Sequence, residues 1–232
     1  MNRLAKSAGH TVTKLSPALV SLKSKDAFIP QLQGFSLRNV AIKLVESGKT
    51  VYSDFGEMLF THYGISGPVI LSASSHMQDP ENGAYKIIVD LKPALDRDSL
   101  DKRLQRDFSE FINKDLINSL SKLLPKKLIP VVIALSGIPA HKKVNCITRE
   151  ERRQLVHILK NIEINISEFY TIDSAIITRG GVDVKEIDPK TMRSKLVDNL
   201  YFAGEIIDVD AYTGGFNLQI AFSTGVLCGK HM

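Results

Sequence analysis

Long hydrophobic runs are missing from this 232-residue sequence, and cysteine is scarce. No apolar stretch reaches the roughly 18 residues of a membrane-spanning helix, and the first residues lack the apolar core of a signal peptide. Cys146 and Cys228 stand far apart and form no C-x-x-C pair or zinc-ligand pattern, although the fold could bring them together. These absences predict a cytoplasmic protein with no membrane span.

Histidine and basic residues do not indicate metal or nucleic-acid binding. The six histidines lack the spacing of metal ligands, and no nucleophile elbow suggests a hydrolase. Lysine and arginine outnumber the acids by 30 to 25, but they are dispersed among acids along the chain, without an aromatic stacking motif. We therefore expect a small-molecule substrate and no nucleic-acid or membrane partner, with the mild positive charge favouring anionic cofactors.

Residue patterns divide the chain into β-rich and helical parts. Residues 11–15 and stretches such as Ser36–Val45 and Tyr85–Leu91 alternate and contain β-branched side chains, so we expect strands there. Residues 14–95 are predicted to form a β-barrel-like subdomain. Residues 96–161 show helical periodicity, and a Thr148–Glu151 capping box opens their last helix. A hydrophobic content of 44% is sufficient for proper cores, so the expected fold class is α+β or α/β.

The C-terminal segment carries the strongest functional signal. The apolar run Leu200–Ala203 predicts a buried strand that ends at Gly204-Glu205. The pair Gly214-Gly215 then precedes a mostly apolar helix, which we expect to be buried on most sides. Because the first N–H groups of a helix have no internal acceptor and the helix dipole favours negative charge there, this helix start predicts phosphate binding. The alternative is an ordinary strand-to-helix loop in which Glu205 is a turn acid.

Two further turns contain residues suited to a ligand or to catalysis. Gly180-Gly181 presents no Cβ, which either allows a flat ligand to approach the backbone or marks a tight turn between strands. His62 follows Thr61 at the end of a strand-like run. A lone histidine is usually structural, but its side chain ordinarily titrates near neutral pH and could serve as an acid–base group in an active site.

Three ordered segments resemble the BaiN-type FAD-dependent oxidoreductases, also described as aminoacetone-oxidase-like flavoproteins. The segments are Gly56–Pro68, Ala175–Lys195 and Leu200–Gly225, and the similarity extends over nearly the whole chain. The resemblance implies an oxidoreductase that transfers hydride between FAD and a small organic substrate or NAD(P)H. In such enzymes the cofactor performs the redox chemistry and the protein orients it.

The same resemblance implies a fold and roles for individual residues. A β-barrel-like subdomain and a small helical subdomain would be inserted into a Rossmann-like FAD-binding domain formed by residues 1–13 and 162–232. Thr61 and His62 would be catalytic residues lining the flavin face, and Glu205 would face the ribityl chain. The residues expected to contact FAD are Thr178, Gly180, Gly181, Gly204, Glu205, Gly214, Gly215, Phe216, Asn217 and Gln219.

One departure from the family pattern concerns the start of the FAD domain. Family members begin with a strand, a G-x-G-x-x-G turn and a helix, and this sequence contains no such turn. We therefore expect a truncated FAD domain, weak or absent FAD binding by this chain alone, and little activity of the isolated chain. Unpaired strand edges in such a domain favour a homodimer. The alternative function is a non-catalytic module that binds an anion or a partner and derives from a flavoprotein.

Overall fold

A computed structural model describes residues 1–82 and 85–232 of the chain. Its contacts divide the chain into two compact units. Unit 1 comprises Met1–Ser21, Ile70–Ser75 and Phe169–Met232, and unit 2 comprises Leu22–Val69 and His76–Glu168. Unit 1 therefore contains both ends of the chain, and unit 2 contains the large sheet and most of the helices.

The described residues form nine strands and seven α-helices. The strands are β1 (Ser16–Ala18), β2 (Leu22–Lys23), β3 (Ser36–Glu46), β4 (Lys49–Phe60), β5 (Gly64–Ser66), β6 (Tyr85–Asp90), β7 (Ile162–Asn165), β8 (Glu168–Phe169) and β9 (Ile177–Arg179). The helices are α1 (Asn2–Ser7), α2 (Pro68–Ser74), α3 (Arg97–Glu110), α4 (Leu116–Ser119), α5 (Ile129–Ser136), α6 (Arg149–Lys160) and α7 (Phe216–His231). Short 3₁₀ turns lie at Pro30–Leu32, Pro80–Asn82, Val144–Cys146, Ile172–Ser174, Val184–Glu186 and Gly204–Ile206. Among these described helices, none has both the length and the apolar character needed to cross a membrane.

The large sheet has the strand order β7-β6-β3-β4-β5-β2-β8, and its pairs from β7 through β2 are antiparallel. Its longest pair, β3–β4, is joined by a turn in which Ser47 and Gly48 have φ values of 47° and 84°. Two left-handed residues give a turn whose twist matches that of the strands. Side chains alternate along β3, so Ile42 and Leu44 are buried and Lys43 is exposed. Within the described residues β7 and β8 do not pair, so the barrel-like sheet is open.

Local capping sets the start of the two long helices in unit 2. At α3, the Asp96 side chain accepts the Ser99 N–H at 2.7 Å. At α6, Thr148 Oγ1 accepts the Glu151 N–H at 3.2 Å, and the Glu151 carboxylate accepts the Thr148 N–H at 2.8 Å. These bonds satisfy N–H groups that have no acceptor inside the helix, and they confirm the predicted capping box.

Unit 1 packs around a small apolar cluster. Strands β1 and β9 form a two-stranded antiparallel sheet in which Ala18 lies opposite Ile177. The fully buried Val182 forms an antiparallel bridge to Val12 and a parallel bridge to Ile207. The buried members of the cluster are Ala5, Val182, Ile187, Met192, Phe202, Ile207 and Cys228. Segments from both ends of the chain therefore share one core.

The structure confirms a mixed α+β fold with a barrel-like sheet and a helical part, and it corrects three details. The strands predicted at residues 11–15 and Leu200–Ala203 are wrong, because these segments form only single bridges at Val12 and Tyr201. Val12 pairs with Val182, and Tyr201 pairs with Arg193; both partners are isolated bridge residues outside any continuous strand. The prediction that α7 is buried on most sides is also wrong. Cys228 is the one α7 residue that the structure describes as buried, because a single face of α7 packs on the apolar cluster.

A buried histidine ties the N-terminal segment of unit 1 to residues late in the chain. His10 Nδ1 lies 2.9 Å from Glu186 Oε2, and His10 Nε2 lies 2.8 Å from Ser194 Oγ. Ser194 Oγ also accepts the N–H groups of Leu196 and Val197. The serine hydrogen is therefore directed to Nε2, which assigns the ring proton to Nδ1, where it is donated to Glu186.

We expect this hydrogen-bonded group to lower the free energy of unfolding when the pH becomes acidic. Hydrogen bonds from Thr11, and then from His10, hold the pKa of the Glu186 carboxyl below its ordinary value. Such a carboxyl stabilises the fold above its unfolded pKa, and the contribution is lost as the pH falls through its folded pKa. Thermal unfolding measured from neutral to acid pH should show a smaller acid-induced loss for Glu186→Gln than for the wild type. The exposed control Glu150→Gln should behave as the wild type does, and equal pH dependence of all three proteins would contradict this role.

Candidate functional site

The residues expected to bind a cofactor all lie in unit 1, whereas the two expected catalytic residues, Thr61 and His62, lie in unit 2. In unit 1 they occupy three places: the end of β9, the turn that begins at Gly204, and the start of α7. Side-chain and backbone hydrogen bonds connect these places to one another.

The carboxylate of Glu205 is held at the end of β9. Its Oε1 accepts the backbone N–H of Thr178 at 2.6 Å, and the Glu205 side chain is exposed. Within the described residues, the Thr178 hydroxyl and Glu205 Oε2 make no hydrogen bond. The pair therefore presents one hydroxyl and one free carboxylate oxygen, which can bind the hydroxyl groups of a sugar-like ligand.

Close backbone contacts within unit 1 account for the glycine pair after β9. A Cβ on Gly180 would lie 2.3 Å from the carbonyl oxygen of Lys14, and one on Gly181 would lie 2.3 Å from the carbonyl oxygen of Ile206. Both glycines have positive φ, 90° and 154°. Thr13 completes the contact, because its Oγ1 accepts the Gly181 N–H at 3.0 Å. The protein's own chain thus occupies the space that each missing side chain leaves.

The start of α7 is open. Gly214 and Gly215 have φ values of 109° and 90°, and a Cβ on Gly215 would meet no atom within 4 Å. The first N–H of the helix with an internal acceptor is that of Gln219, which bonds to the Gly215 carbonyl at 3.0 Å. The preceding amides have no intrahelical acceptor, and no side chain caps them. Because α7 is 16 residues long, its dipole adds to the attraction of an anion at this end.

Two predicted contact residues in α7 are engaged by the protein itself. Asn217 Oδ1 accepts the Ala211 N–H at 2.9 Å, and Asn217 Nδ2 donates to the Ala211 carbonyl at 2.7 Å. These two hydrogen bonds fix the loop before the helix. Gln219 Nε2 donates to Ser223 Oγ at 3.0 Å within α7. Phe216 is 60% exposed at the helix start, where its ring can contact a ligand.

The turn at Gly204 is anchored on the side of α7. The Gly204 N–H donates to Thr224 Oγ1 at 2.9 Å, and Gly204 has a left-handed φ of 73°. Phe216 lies eight residues before Thr224, which places the free amides roughly 12 Å along the helix from this anchor. A ligand that carries both hydroxyl and phosphate groups can therefore contact Glu205 and the helix start together. The ribityl-phosphate portion of FAD has those groups, so the residues present fit it.

Sequence reasoning missed several residues that support this arrangement. Arg179 contacts Asp210 at 3.4 Å and also bonds to the Ser75 carbonyl, so it connects β9 with the loop that precedes α7. The hydroxyl oxygens of Thr13 and Thr224 accept hydrogen bonds from the backbone N–H groups of Gly181 and Gly204. Their partners lie far away in the sequence, and no local pattern marks either threonine. Arg179 was the detectable one, because it stands inside the stretch that carries the family resemblance.

Thr61 and His62 form the turn between β4 and β5 in unit 2. Thr61 Oγ1 accepts the Gly64 N–H at 3.0 Å, and the Thr61 N–H donates to the Gly64 carbonyl at 2.9 Å. The hydroxyl of Thr61 thus stabilises the turn. His62 is exposed, and its ring contacts Tyr63 edge to face at 4.9 Å. Exposure leaves the imidazole free to meet a substrate or solvent.

Comparison with known proteins identifies relatives of two kinds. Residues 16–177 match the family described as HI0933-like protein barrel and H2TH domain. The chain is 33% identical to a 3-dehydro-bile acid delta(4,6)-reductase of Clostridium scindens over 98% of this chain and 56% of that protein. It is 33% identical to a ribosomal RNA dihydrouridine synthase of Haemophilus influenzae over 89% of this chain and 48% of that protein. The Escherichia coli protein of the same name is 30% identical over 99% of this chain and 55% of that protein. The chain spans about half the length of these relatives.

The contact between Gly181 and the Ile206 carbonyl yields a stability prediction. Gly181→Ala should lower the free energy of unfolding by about 2–3 kcal/mol, because it adds a Cβ at a left-handed φ against fixed backbone. Gly225→Ala is the matched control, since Gly225 lies inside α7 and meets no atom within 4 Å. That variant should be neutral or gain up to about 1 kcal/mol. Chemical denaturation measures both, and equal stability of the two variants would contradict the close contact.

Proposed function

This chain belongs to the HI0933-like family, and on that premise we propose that it forms part of a flavin-dependent reductase. The relatives carry different names, but the chemistry in those names has a common element. A reductase adds electrons to its substrate. Dihydrouridine is uridine in which two hydrogen atoms have been added to a ring carbon–carbon double bond. The proposed reaction is the net addition of a hydride and a proton to a carbon–carbon double bond of a flat ring.

The observation that carries this proposal is the pairing of Glu205 with the open start of α7. Glu205 would accept hydrogen bonds from the ribityl hydroxyls, and the Thr178 hydroxyl would donate to the same ligand. The unpaired amides at Phe216 and the following residues would hold a phosphate. Bound flavin would supply the hydride chemistry, with NAD(P)H as the source of electrons. The protein's own residues would bind and orient that cofactor.

The proposed role of His62 is proton transfer. An exposed imidazole in a fixed turn can give a proton through a ring nitrogen to the substrate, or take one from it. Thr61 would hold that turn in place through its bond to Gly64. Thr61 is thus a positioning residue in this proposal, and His62 is the catalytic one.

A second candidate function is an anion-binding module without flavin. The open space at Gly215 and the uncapped amides of α7 suit a phosphate group of any ligand. The two functions differ in their need for Glu205, since a simple anion would be repelled by that carboxylate. We also propose that the middle of the chain is an insert in an FAD domain. A homodimer through the free edges of β1 and β9 is proposed as well.

FAD titration tests the cofactor site. We expect saturable but weak binding, in the micromolar range or weaker, followed by flavin fluorescence or calorimetry. Glu205→Ala should weaken binding by about 10- to 100-fold, because a charged hydrogen bond contributes roughly 1.5–3 kcal/mol. Glu150→Ala, which removes an exposed carboxylate from unit 2, should leave the affinity unchanged.

Several outcomes of this titration would contradict the proposal. No saturable binding up to millimolar FAD would oppose a flavin site, and sub-micromolar binding would oppose the expected weak retention. Tighter binding of inorganic phosphate by Glu205→Ala, without any FAD binding, would support the anion-binding module instead.

The acid–base role of His62 is tested by rapid kinetics on flavin-loaded protein. His62→Ala should retain flavin but slow its reduction or reoxidation by about 10²-fold, the usual contribution of a general acid or base. The control is His141→Ala, because the His141 side chain is 85% exposed and lies in the helical part of unit 2. Unchanged stopped-flow rates in the His62 variant would assign that residue a structural role.

A further inference from the structure

The outer side of α7 carries a second apolar face, opposite the side that packs on the apolar cluster of unit 1. Leu218, Phe222 and Val226 follow one another at four-residue intervals, and their exposed fractions are 63%, 66% and 56%. Gly225 and Gly229 lie on the same side, because residues three and four apart share one face of a helix. These five residues are here called the outer face of α7.

The composition of α7 is typical of a helix that is covered on both sides. No charged residue lies between Phe216 and Gly229, so the outer face has no ionic group that favours contact with water. An ordinary surface helix instead has one apolar stripe and a charged or polar face towards solvent. The apolar cluster of unit 1 covers one side of α7. Within residues 1–82 and 85–232, nothing covers the outer face.

The two halves of the outer face are complementary in size. The N-terminal half carries the large side chains of Leu218 and Phe222, and the C-terminal half contains Gly225 and Gly229. A Cβ on either glycine would meet no atom within 4 Å, so the space above both is open. Large and small residues would therefore meet if a second α7 lay antiparallel to the first.

The spacing of these residues selects one register for such a pair. Positions 218, 222, 225 and 229 are separated by four, three and four residues, the spacing of the apolar seam in paired helices. When Phe222 of one copy lies opposite Gly225 of the other, Leu218 comes opposite Gly229, and the twofold axis repeats both layers. Every large side chain then faces a residue without a Cβ. Such an interface uses the same patch on both copies and closes with two chains.

The area of the outer face agrees with a weak dimer. A 16-residue helix is about 24 Å long, and faces about 10 Å wide from two copies would bury on the order of 1,000 Å² in total. This area is at the lower limit for a specific interface, so we expect a dissociation constant in the micromolar range. A lipid surface is a poorer cover, because helices that lie on membranes are rich in lysine and arginine and α7 contains only Lys230.

We propose that two copies of this chain associate through the outer faces of α7, packed antiparallel with Phe222 of each copy against Gly225 of the other. The inference does not depend on flavin binding or on the proposed reductase. It also differs from the homodimer through the edges of β1 and β9, because strand edges pair through backbone hydrogen bonds and this interface uses the side of a helix.

The test is analytical ultracentrifugation of the full chain at concentrations from about 1 to 200 μM, a range that spans micromolar affinity. The wild type should shift with concentration from the chain mass of 25.7 kDa to twice that mass. Phe222→Ala removes the large side chain from two layers and should weaken association at least about tenfold. Phe55→Ala is the matched control, since Phe55 is 58% exposed and lies on β4 in unit 2. Its association should stay within about twofold of the wild type.

Gly225→Leu separates the proposed register from unspecific apolar association. The variant adds an apolar side chain to an exposed face, so unspecific association would become stronger. In the proposed register the leucine collides with Phe222 of the other copy, and the dissociation constant should rise at least about tenfold. The monomer should keep its fold, because no atom lies within 4 Å of the new Cβ, and thermal unfolding checks this. Phe222→Ala/Gly225→Leu exchanges the large and small residues and should restore association to within about threefold of the wild type.

The outcomes decide between occupants of the outer face. Loss of association in both single variants, with recovery in the double variant, supports the proposal. A wild-type chain that stays monomeric throughout overturns it, and binding of that monomer to phosphatidylcholine vesicles would identify a lipid surface instead. Tighter association of Gly225→Leu overturns the register. A dimer that no α7 variant changes overturns this surface and favours the edges of β1 and β9.

Discussion

Unit 1 depends on the close approach of three backbone segments at Gly180-Gly181. The carbonyl oxygens of Lys14 and Ile206 lie where side chains would stand on these two residues. Any residue other than glycine would push the segments apart and open the cluster around Val182, which bridges to the same two segments. The left-handed φ of each glycine adds a second reason, because other residues adopt it only with strain. Steric exclusion, more than any single attractive contact, therefore sets the architecture of this unit.

The geometry of the candidate cofactor site depends on that close backbone contact. Glu205 stands one residue before Ile206, whose carbonyl accepts the Val182 N–H at 2.8 Å, and its carboxylate bonds to Thr178, just before the glycine pair. A side chain fixed by backbone on both sides loses little further freedom when a ligand binds. The free oxygen of Glu205 and the open helix start are thus held by the core of unit 1, and the loop at Asn217 is held by its own side chain.

Local chemistry was predictable from sequence, and non-local pairing was not. The capping box at Thr148 and the turn at Gly48 depend on residues within a few positions, so the sequence indicates both. The strand predicted at Leu200–Ala203 fails because Tyr201 makes one isolated bridge, to Arg193, and no periodicity in the sequence reveals that partner. Helix α7 is apolar on most faces, so its sequence cannot say which face packs. Its packed side includes Leu227 and Cys228, whereas Phe222 is 66% exposed.

The two units present different chemistry, and this difference can reconcile the names of the relatives. Unit 1 offers a carboxylate, a hydroxyl and free amides, a set suited to a cofactor. Unit 2 presents exposed arginines such as Arg97 and Arg149, which suit anionic groups. In the proposed function, reduction of a double bond depends on the first set. Relatives with different names can share that reaction and differ in the surface that receives the substrate, since function resides in sites that a fold carries.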